Sequence, residues 1–531
     1  MTIFRLIQKI SKNSRYKAVL EVIVFLIISF AFVYVFSAFV PYEFDEFAQY
    51  HTLGCHYYPH NMLNTFRASC QAWRLAPFGE YFLPLRSGAP YDGAAPCLIY
   101  FPLFLLWPAP ISARFLGVLL FGIQAFCIRR LFKIDFLVAF VLILFFLPYV
   151  FIHIYASALV HLQTTSVFLI YYFLQRWGAA LGNDFTHSWR FPVYIGFILF
   201  LGIWTKLTYF AVVPGIALFM IYYFVKHRDV FWRQGVKRKF AAHLILLIVV
   251  ASSLIFILLN SKTQQGWTYY HQVISPEKPL SFKDPALVKE KVVKLGKYFA
   301  NPLQAANLTF RVREKATSTG ISYMATLILF FVFGTGWLVA TRRRADYAFM
   351  NMFLAVLTFL ILTFIYQRSG QMHHVVLCFP FILLSLFYLG SQLYRNKVIF
   401  VLMAIFLLIS VKLYVNLSNL APQFYNPLTK IRYLDTINEK FAEGYVYIVN
   451  GFGHYFIKQL YGPKDQCVLY LDGHYYSADN IATLKRILGQ LDRKALFICT
   501  RLSPFLKEHF PDLIEHTFDF DTHGWQVWYQ P

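Results

Sequence analysis

The sequence predicts a polytopic α-helical membrane protein with a small C-terminal extracytoplasmic α/β domain. Of its 531 residues, 58% are hydrophobic, 20% are aromatic and 14% are charged, and the mean hydropathy is +0.51. This composition excludes an ordinary soluble enzyme. A series of apolar segments predicts about eleven membrane crossings. Beyond Asn416 the composition changes to that of a small soluble domain, which accounts for the second part of the prediction.

The first apolar segment runs from Ala18 to Val40 and is long enough to cross a bilayer. It follows a basic stretch and lacks a small-residue cleavage site, so we interpret it as a retained helix and not as a removed signal peptide. Several later segments are short enough to be re-entrant. The predicted crossings are 18–40, 111–128, 136–154, 157–175, 192–205, 208–225, 240–259, 321–340, 346–366, 375–392 and 398–415.

Alternate connections between these segments carry clusters of Lys and Arg, which the positive-inside rule places in the cytoplasm. The amino terminus is then cytoplasmic and the carboxyl terminus is outside. The same parity puts the loops 41–110 and 260–320, the turn 367–374 and the tail 420–531 on one extracytoplasmic side. The loop 260–320 is itself basic, but long loops count for less in this rule. The formal net charge of +23 arises largely from these clusters, so we exclude nucleic acid as a partner.

The C-terminal region shows the pattern of a compact α/β layer. Residues 445–449, 467–471 and 495–499 read as short buried strands, and Ala482 to Leu491 reads as an amphipathic helix before the third strand. Gly451 and Gly453 follow the first strand, but Phe456 stands where a dinucleotide fingerprint has its third glycine. We therefore favour a structural or acceptor-positioning role for this domain.

The seven cysteines do not form a recognisable framework. Cys55, Cys70 and Cys97 lie in the first external loop, and the sequence leaves open whether any two of them form a disulfide. CxxC and HExxH spacings are absent from the sequence, so a dedicated zinc site has no support.

The most informative stretch is Pro41–Tyr50, where Glu43, Asp45 and Glu46 directly follow the first membrane segment. Charge is expensive near hydrocarbon, so carboxylates at this position suggest chemistry on a substrate at headgroup level. On a short helix Asp45 and Glu46 diverge by about 100° and would have different roles. A carboxylate can act as the general base for a hydroxyl within hydrogen-bond reach. The alternative is an interfacial cap of carboxylates at a helix start.

If the base activates a hydroxyl towards the anomeric carbon of a lipid-phosphate sugar, the departing phosphate needs positive charge more than a proton. Each cationic candidate also has a simpler explanation. The lysine could snorkel to the interface, the paired histidines could be amphipathic anchors, and the role of the arginine in the second crossing is equally open. The candidates on the predicted external side are Arg114, Lys206, Arg368, His373 and His374.

The sequence contains five short motifs in this order: Phe44-Asp-Glu-Phe47, Ala95-Pro-Cys-Leu-Ile-Tyr100, Ala113-Arg-Phe-Leu116, Trp204-Thr-Lys206 and His374-Val-Val-Leu-Cys-Phe-Pro380. Together they resemble the motifs of the GT-C glycosyltransferases. Within that group the chain is most similar to the branch of the protein O-mannosyltransferases and the lipid A aminoarabinose transferase, over roughly residues 1–415. The resemblance implies sugar transfer from a polyprenyl-phosphate donor, with inversion, on the extracytoplasmic face, with Asp45 as catalytic base and Glu46 orienting the acceptor.

The sequence departs from that branch at three places. Ala48 replaces an Arg, and Ala94 with Ala95 replaces a Lys, so two expected phosphate ligands are missing. At the start of the fourth crossing, His161 and Gln163 stand where an acid is common. A Trp-Trp-Asp signature is also absent, which argues against transfer of whole oligosaccharides to asparagine.

The sequence therefore predicts an integral-membrane glycosyltransferase that moves a monosaccharide from a polyprenyl-phosphate donor to an extracytoplasmic hydroxyl of a glycan, lipid or protein. Asp45 and Glu46 are the predicted catalytic pair, and the five cations are predicted to bind the donor phosphate. A divalent cation and metal independence are equally compatible with the carboxylates. We expect a bacterial inner membrane in preference to the endoplasmic reticulum. A secondary transporter or lipid flippase is the main alternative, and a noncatalytic partner that uses the same fold is the third.

Overall fold

The computed structural model contains a bundle of membrane helices and a small mixed sheet. The following residues are described: 14–39, 95–107, 110–146, 149–150, 158–182, 187–260, 289, 293, 318–342, 345–365, 376–393, 401–412, 436–437, 439–441, 444–449, 468–470, 478–499, 502–519 and 526–531.

The bundle is built from apolar helices. Two 3₁₀ turns, Leu207–Ala211 and Val376–Cys378, precede α7 and α12 respectively. The helices are α1 (Ser14–Phe39), α2 (Ala95–Leu106), α3 (Pro110–Phe132), α4 (Phe136–Phe145), α5 (Ala158–Gly182), α6 (Arg190–Thr205), α7 (Val213–Lys226), α8 (Arg228–Phe231), α9 (Val236–Asn260), α10 (Ser318–Ala340), α11 (Asp346–Ile365), α12 (Phe379–Leu393) and α13 (Val401–Lys412).

Each of the eleven predicted crossings overlaps a helix of the described chain. Within the described residues, five spans are long and apolar enough to cross a membrane: Ala18–Ser37, Ile111–Phe132, Thr208–Lys226, Val236–Ile255 and Val376–Leu393. Five further helices contain apolar stretches that are shorter than the length required for a membrane span. These helices are α4, α6, α10, α11 and α13. The chain is thus a helical membrane protein, and the total of about eleven crossings stays a prediction.

Helix α2 is a feature that we did not predict, because the whole of 41–110 was assigned to an external loop. Its twelve residues are almost entirely apolar and include an internal Pro102. At about 1.5 Å per residue it is too short to span a bilayer. It packs instead against α3, α5 and α6, and so belongs to the bundle.

Two ion pairs connect helices at the end of the bundle that carries the basic clusters. Arg129 near the end of α3 pairs with Glu21 of α1 at 2.8 Å, and Lys226 at the end of α7 pairs with Asp346 at the start of α11 at 2.7 Å. The positive-inside rule predicts that this end of the bundle faces the cytoplasm, and this orientation stays a prediction. Each pair joins two helices that are distant in sequence.

The C-terminal sheet has the strand order β2-β1-β3-β5-β4. Strand β1 is parallel to β2 and β3, while β5 is antiparallel to both β3 and β4. Its core is formed by Val446, Ile448, Leu484, Phe497 and Leu506. The elements are β1 (Tyr445–Val449), β2 (Val468–Tyr470), α14 (Ala478–Leu491), β3 (Lys494–Cys499), α15 (Pro504–His509), β4 (Ile514–His516) and β5 (Gln526–Tyr529).

The thiol of Cys499 at the end of β3 is predicted to be chemically inert in the folded protein. Burial, and to a smaller degree the charge of Glu515, raises its pKa to about 12. The thiolate is the reactive species, so little of it is present at pH 8. We expect the tryptic peptide that contains Cys499 to stay unmodified by iodoacetamide in the native chain and to be modified after denaturation. Fast native labelling, measured by mass spectrometry, would contradict this.

Candidate functional site

The structure describes two of the seven residues that the sequence singled out for the site, Arg114 and Lys206. Both are buried charged side chains of the membrane bundle. The other five lie outside the described residues, and their roles stay predictions: Asp45, Glu46, Arg368, His373 and His374.

Arg114 lies in the first turns of α3, close to the end of α1. Its side chain is fully buried. One guanidinium nitrogen, Nη1, donates a long hydrogen bond of 3.4 Å to the hydroxyl of Ser37. The guanidinium also lies 5.4 Å from the ring centroid of Phe36, which is a cation–π distance. Arg114 therefore contacts the last turns of α1, immediately before the segment that carries Asp45 and Glu46.

Lys206 lies where α6 stops. Its backbone is extended, with φ −162° and ψ 139°, and only 5% of the residue is exposed. The chain then forms the 3₁₀ turn Leu207–Ala211 before α7 starts. An ammonium group in such a position is costly to bury unless polar or anionic groups surround it. The break in the helix at Lys206 thus places a cation inside the bundle.

The side chain of Gln163 in α5 holds this helix end in place. Its amide nitrogen donates to the carbonyl oxygens of Gly202 at 3.2 Å and Lys206 at 2.8 Å. Its amide oxygen accepts a weaker hydrogen bond from the hydroxyl of Thr208 at 3.4 Å. Each of these two carbonyls also accepts a backbone N–H, from Lys206 at 3.4 Å and from Tyr209 at 3.0 Å respectively. Gln163 therefore adds a side-chain donor to a carbonyl on either side of the break.

Tyr209, in the 3₁₀ turn after Lys206, also stabilises the position where α6 ends. A Cβ atom at Gly202 would lie 2.4 Å from Cε1 of the Tyr209 ring, so position 202 has to be glycine for the ring to pack against α6. The hydroxyl groups of Tyr209 and Ser166 share a short hydrogen bond, and Ser166 also donates to the carbonyl of Gln163 at 2.6 Å. The turn after Lys206 is therefore fixed against α5.

The imidazole ring of His161 in α5 packs closely against α3 at Gly117. A Cβ atom at Gly117 would lie 2.5 Å from Cε1 of the imidazole, and His161 is fully buried. Gly117 comes one helical turn after Arg114. Because residues two apart on a helix point to opposite sides, α5 presents His161 to α3 and Gln163 to α6. A single helix thus links the surroundings of both cations.

Further polar side chains continue this arrangement into the bundle. Gln124 of α3 donates to Thr165 of α5 at 2.9 Å, and the hydroxyl of Tyr149 donates to Gln124 at 2.9 Å. Nearer the start of α3, the hydroxyl groups of Tyr100 and Ser112 share a short hydrogen bond that joins α2 to α3. Polar groups inside a membrane bundle are satisfied internally, as these are. They rigidify the walls of the candidate site.

Sequence reasoning missed the structural roles of Gln163, Ser166 and Tyr209. Gln163 was noted only as a substitute for an acid, although a glutamine inside an apolar segment is itself a signal of an internal hydrogen bond. Tyr209 and Gly202 gave no such signal, because their contact depends on how α6 and the following turn meet in space. Among the described residues, no group of three or more His, Cys, Asp or Glu side chains could hold a metal ion.

We expect Gln163→Leu to destabilise the bundle by about 1–3 kcal/mol, because two buried hydrogen bonds to the carbonyls of Gly202 and Lys206 would be lost, each worth about 0.5–1.5 kcal/mol. Thermal unfolding of the purified protein in detergent measures this. Gln175→Leu is the matched control, because Gln175 lies on the same helix with an exposed side chain. Equal unfolding temperatures for the two variants would show that Gln163 does not support the break.

No protein-family profile matches the chain, and no curated protein matches it in sequence. Solved structures do show similarity along most of its length. The crystal structure of ArnT from Cupriavidus metallidurans in the apo state has 15% identity and a TM-score of 0.48, covering 97% of this chain and 98% of that one. The same protein bound to undecaprenyl phosphate has 14% identity, a TM-score of 0.42 and the same coverage.

An oligosaccharyltransferase from Archaeoglobus fulgidus, tethered to an acceptor peptide with an NVT sequon, has 13% identity and a TM-score of 0.43. The match covers 92% of this chain and 69% of that one. The predicted resemblance to GT-C enzymes is thus confirmed as a structural similarity over most of the chain. At these identities and TM-scores it carries no information about substrate or mechanism, which have to be argued from the residues of this chain.

Proposed function

We propose that this protein is an integral-membrane glycosyltransferase that moves a monosaccharide from a polyprenyl-phosphate donor to a hydroxyl group of an extracytoplasmic acceptor. The acceptor is a cell-envelope glycan, a lipid or a protein. The observation that carries the proposal is the burial of two cations, Arg114 and Lys206, on helices that share α5 as a neighbour. Such cations suit a lipid-linked substrate that leaves as a phosphate anion.

The position of the cations along their helices supports an extracytoplasmic site. Arg114 is near the start of α3, and Arg129 is near its end. Fifteen residues separate them along the helix, which corresponds to about 22 Å. Arg129 belongs to the basic end that the positive-inside rule assigns to the cytoplasm. Arg114 is therefore at the opposite end, where the headgroup of an outer-leaflet lipid would lie.

The catalytic pair in this proposal follows directly on α1. Asp45 comes six residues after Phe39, the last residue of α1, so the covalent chain keeps it within about 20 Å of that helix end. Arg114 contacts Ser37 in the same helix end. A carboxylate at Asp45 and a donor phosphate near Arg114 are thus compatible with one site.

In the proposed reaction Asp45 accepts the proton of the acceptor hydroxyl as its oxygen attacks the anomeric carbon. The bond between that carbon and the phosphate oxygen breaks, and polyprenyl phosphate leaves as an anion. Attack from the face opposite the leaving group inverts the configuration. Glu46, the second member of the predicted catalytic pair, orients the acceptor. Lys206 and Arg114 stabilise the departing phosphate, together with Arg368, His373 and His374.

We propose that the two parts of the chain that differ in composition have different functions. Residues 1–415 form the catalytic module, including helix α2 and the segments 41–94 and 260–320, which are predicted to be external. Residues 420–531 form an extracytoplasmic domain with a structural or acceptor-positioning role. We assign the protein to a bacterial inner membrane with its site facing outward.

The test is turnover by the full chain in proteoliposomes supplied with a panel of polyprenyl-phosphate monosaccharides and cell-envelope acceptors. Release of free polyprenyl phosphate together with glycosylated acceptor, measured by mass spectrometry, is the expected result. A parallel arm with EDTA decides whether a metal is needed. Movement of intact donor across the bilayer without cleavage would overturn the proposal in favour of a flippase.

A further inference from the structure

The bundle contains a large apolar crevice whose described lining includes neither Arg114 nor Lys206. It has a volume of about 660 Å³ and is walled by α4, α10, α12 and α13. Leu142, Leu383, Leu386 and Phe406 are among its lining residues. A cavity of this size can hold a sizeable organic ligand. Protein interiors are close-packed, and an empty space of this kind would forfeit the dispersion contacts of its walls.

The length of the crevice matches one leaflet of a bilayer. It follows α4 from Lys133, just before the helix, to Phe146, just after it. The ten residues of α4 correspond to about 15 Å, which is about half of the ~30 Å hydrocarbon thickness. An acyl chain of one leaflet would therefore fit along the crevice, whereas the much longer polyprenyl chain of the proposed donor would not.

The mouth of the crevice lies at the basic end of the bundle and carries one charge of each sign, Lys133 and Asp135. Lys133 is exposed and has a positive φ of 59°. The carboxylate of Asp135 caps α4 by accepting from the backbone N–H of Leu137 at 3.1 Å. Both residues are exposed and both line the crevice, so a headgroup at its mouth can reach them.

The neighbouring charges are already engaged. Arg129 pairs with Glu21, and the guanidinium of Arg130 lies over the ring of Phe126 at 5.2 Å. Among the described residues that line the crevice, the charged ones are the cation and the anion at its mouth, so their charges sum to zero. A headgroup with one charge of each sign matches them better than an anionic headgroup does.

We propose that this crevice binds one zwitterionic glycerophospholipid of the leaflet at the basic end of the bundle. Its phosphate lies beside Lys133, its primary ammonium group beside Asp135, and one acyl chain fills the space along α4. This site is at the end of the bundle opposite Arg114 and Lys206, and the inference does not depend on the proposed reaction.

Two glycines allow a matched test of the acyl-chain part. A Cβ atom at Gly390, which lines the crevice on α12, would meet nothing within 4 Å, and the same holds for Gly336 on α10, which does not line it. Gly390→Leu therefore fills the crevice without a clash, while Gly336→Leu adds the same side chain elsewhere. Leucine also has a higher helix propensity than glycine, so both variants should fold.

The measurement is native mass spectrometry of the full chain in mild detergent, after exchange with phosphatidylethanolamine or phosphatidylglycerol of identical acyl chains. We expect one retained phosphatidylethanolamine in the wild type and in Gly336→Leu, and at least a tenfold lower occupancy in Gly390→Leu. Equal occupancy in the two glycine variants would overturn the proposal. Stronger retention of phosphatidylglycerol, or of added polyprenyl phosphate, would do so as well.

The headgroup part is tested by charge removal. We expect Lys133→Gln and Asp135→Asn each to lower phosphatidylethanolamine occupancy about two- to fivefold, as for exposed ion pairs. Lys237→Gln, at an exposed lysine of the same end that does not line the crevice, should leave it unchanged. Photocrosslinking of the wild type with an acyl-chain diazirine phosphatidylethanolamine should label peptides of α4 and α12. Labelling confined to other helices would refute the site independently of any variant.

Discussion

Replacing Asp45 by Asn should lower the rate of sugar transfer about 10²–10⁴-fold, the usual contribution of a positioned general base. The amide retains the size of the carboxylate but cannot accept the proton of the acceptor hydroxyl. Because the donor phosphate is proposed to contact cations and not Asp45, donor binding should change little. The measurement is release of polyprenyl phosphate by the full chain in proteoliposomes, with donor retention followed by native mass spectrometry.

Glu43→Gln is the matched control for this experiment. Glu43 belongs to the same acidic stretch, two residues before Asp45, and has no proposed role in the reaction. Its variant should keep nearly full turnover. Unaltered turnover in Asp45→Asn would remove the proposed base and leave the interfacial-cap explanation of the acidic stretch. Equal loss in both variants would show that the total charge of the stretch matters and not one carboxylate.

The second large effect is expected at Lys206, where Lys206→Gln should lower turnover about 10²–10³-fold, as when one stabilising donor is removed from a developing anion. Only 5% of the surface of Lys206 is exposed, so water screens its charge poorly. The phosphate is charged in the donor and gains charge as it leaves. Both the donor affinity and the maximal rate should therefore fall.

Lys412→Gln provides the comparison, because Lys412 is an exposed lysine at the end of α13, on the predicted external side. It should behave like the wild type. A Lys206→Gln variant with unchanged kinetics but a lower unfolding temperature would reduce Lys206 to a structural residue. Thermal unfolding in the same detergent separates the two outcomes.

The helical fold could be predicted because a membrane helix is specified by a long apolar run, a property of sequence alone. Strand β1 was predicted with its observed bounds, because Tyr445–Val449 is a short buried run between turn residues. Strands β4 and β5 were missed. Ile514–His516 is three residues long and largely exposed, so its strand conformation depends on pairing with β5 and not on its own pattern.

The cations of the candidate site could be predicted from the sequence, but the residues that hold their helices in place could not. Arg114 and Lys206 were identified because cations are conspicuous in apolar segments, and both are buried in the structure. The contact of His161 with the backbone at Gly117 was not accessible from sequence. It is set by the distance between α3 and α5, which results from the packing of many side chains.

The two-residue spacing of His161 and Gln163 has a consequence for how this protein can change over evolutionary time. One side chain touches α3 at Gly117, and the other holds the end of α6 at Gly202 and Lys206. A substitution that displaces α5 at one contact also displaces it at the other. Position 117 on α3 is thereby epistatic with position 163 on α5, and a side chain accepted at 117 restricts which replacements at 163 can still reach the end of α6.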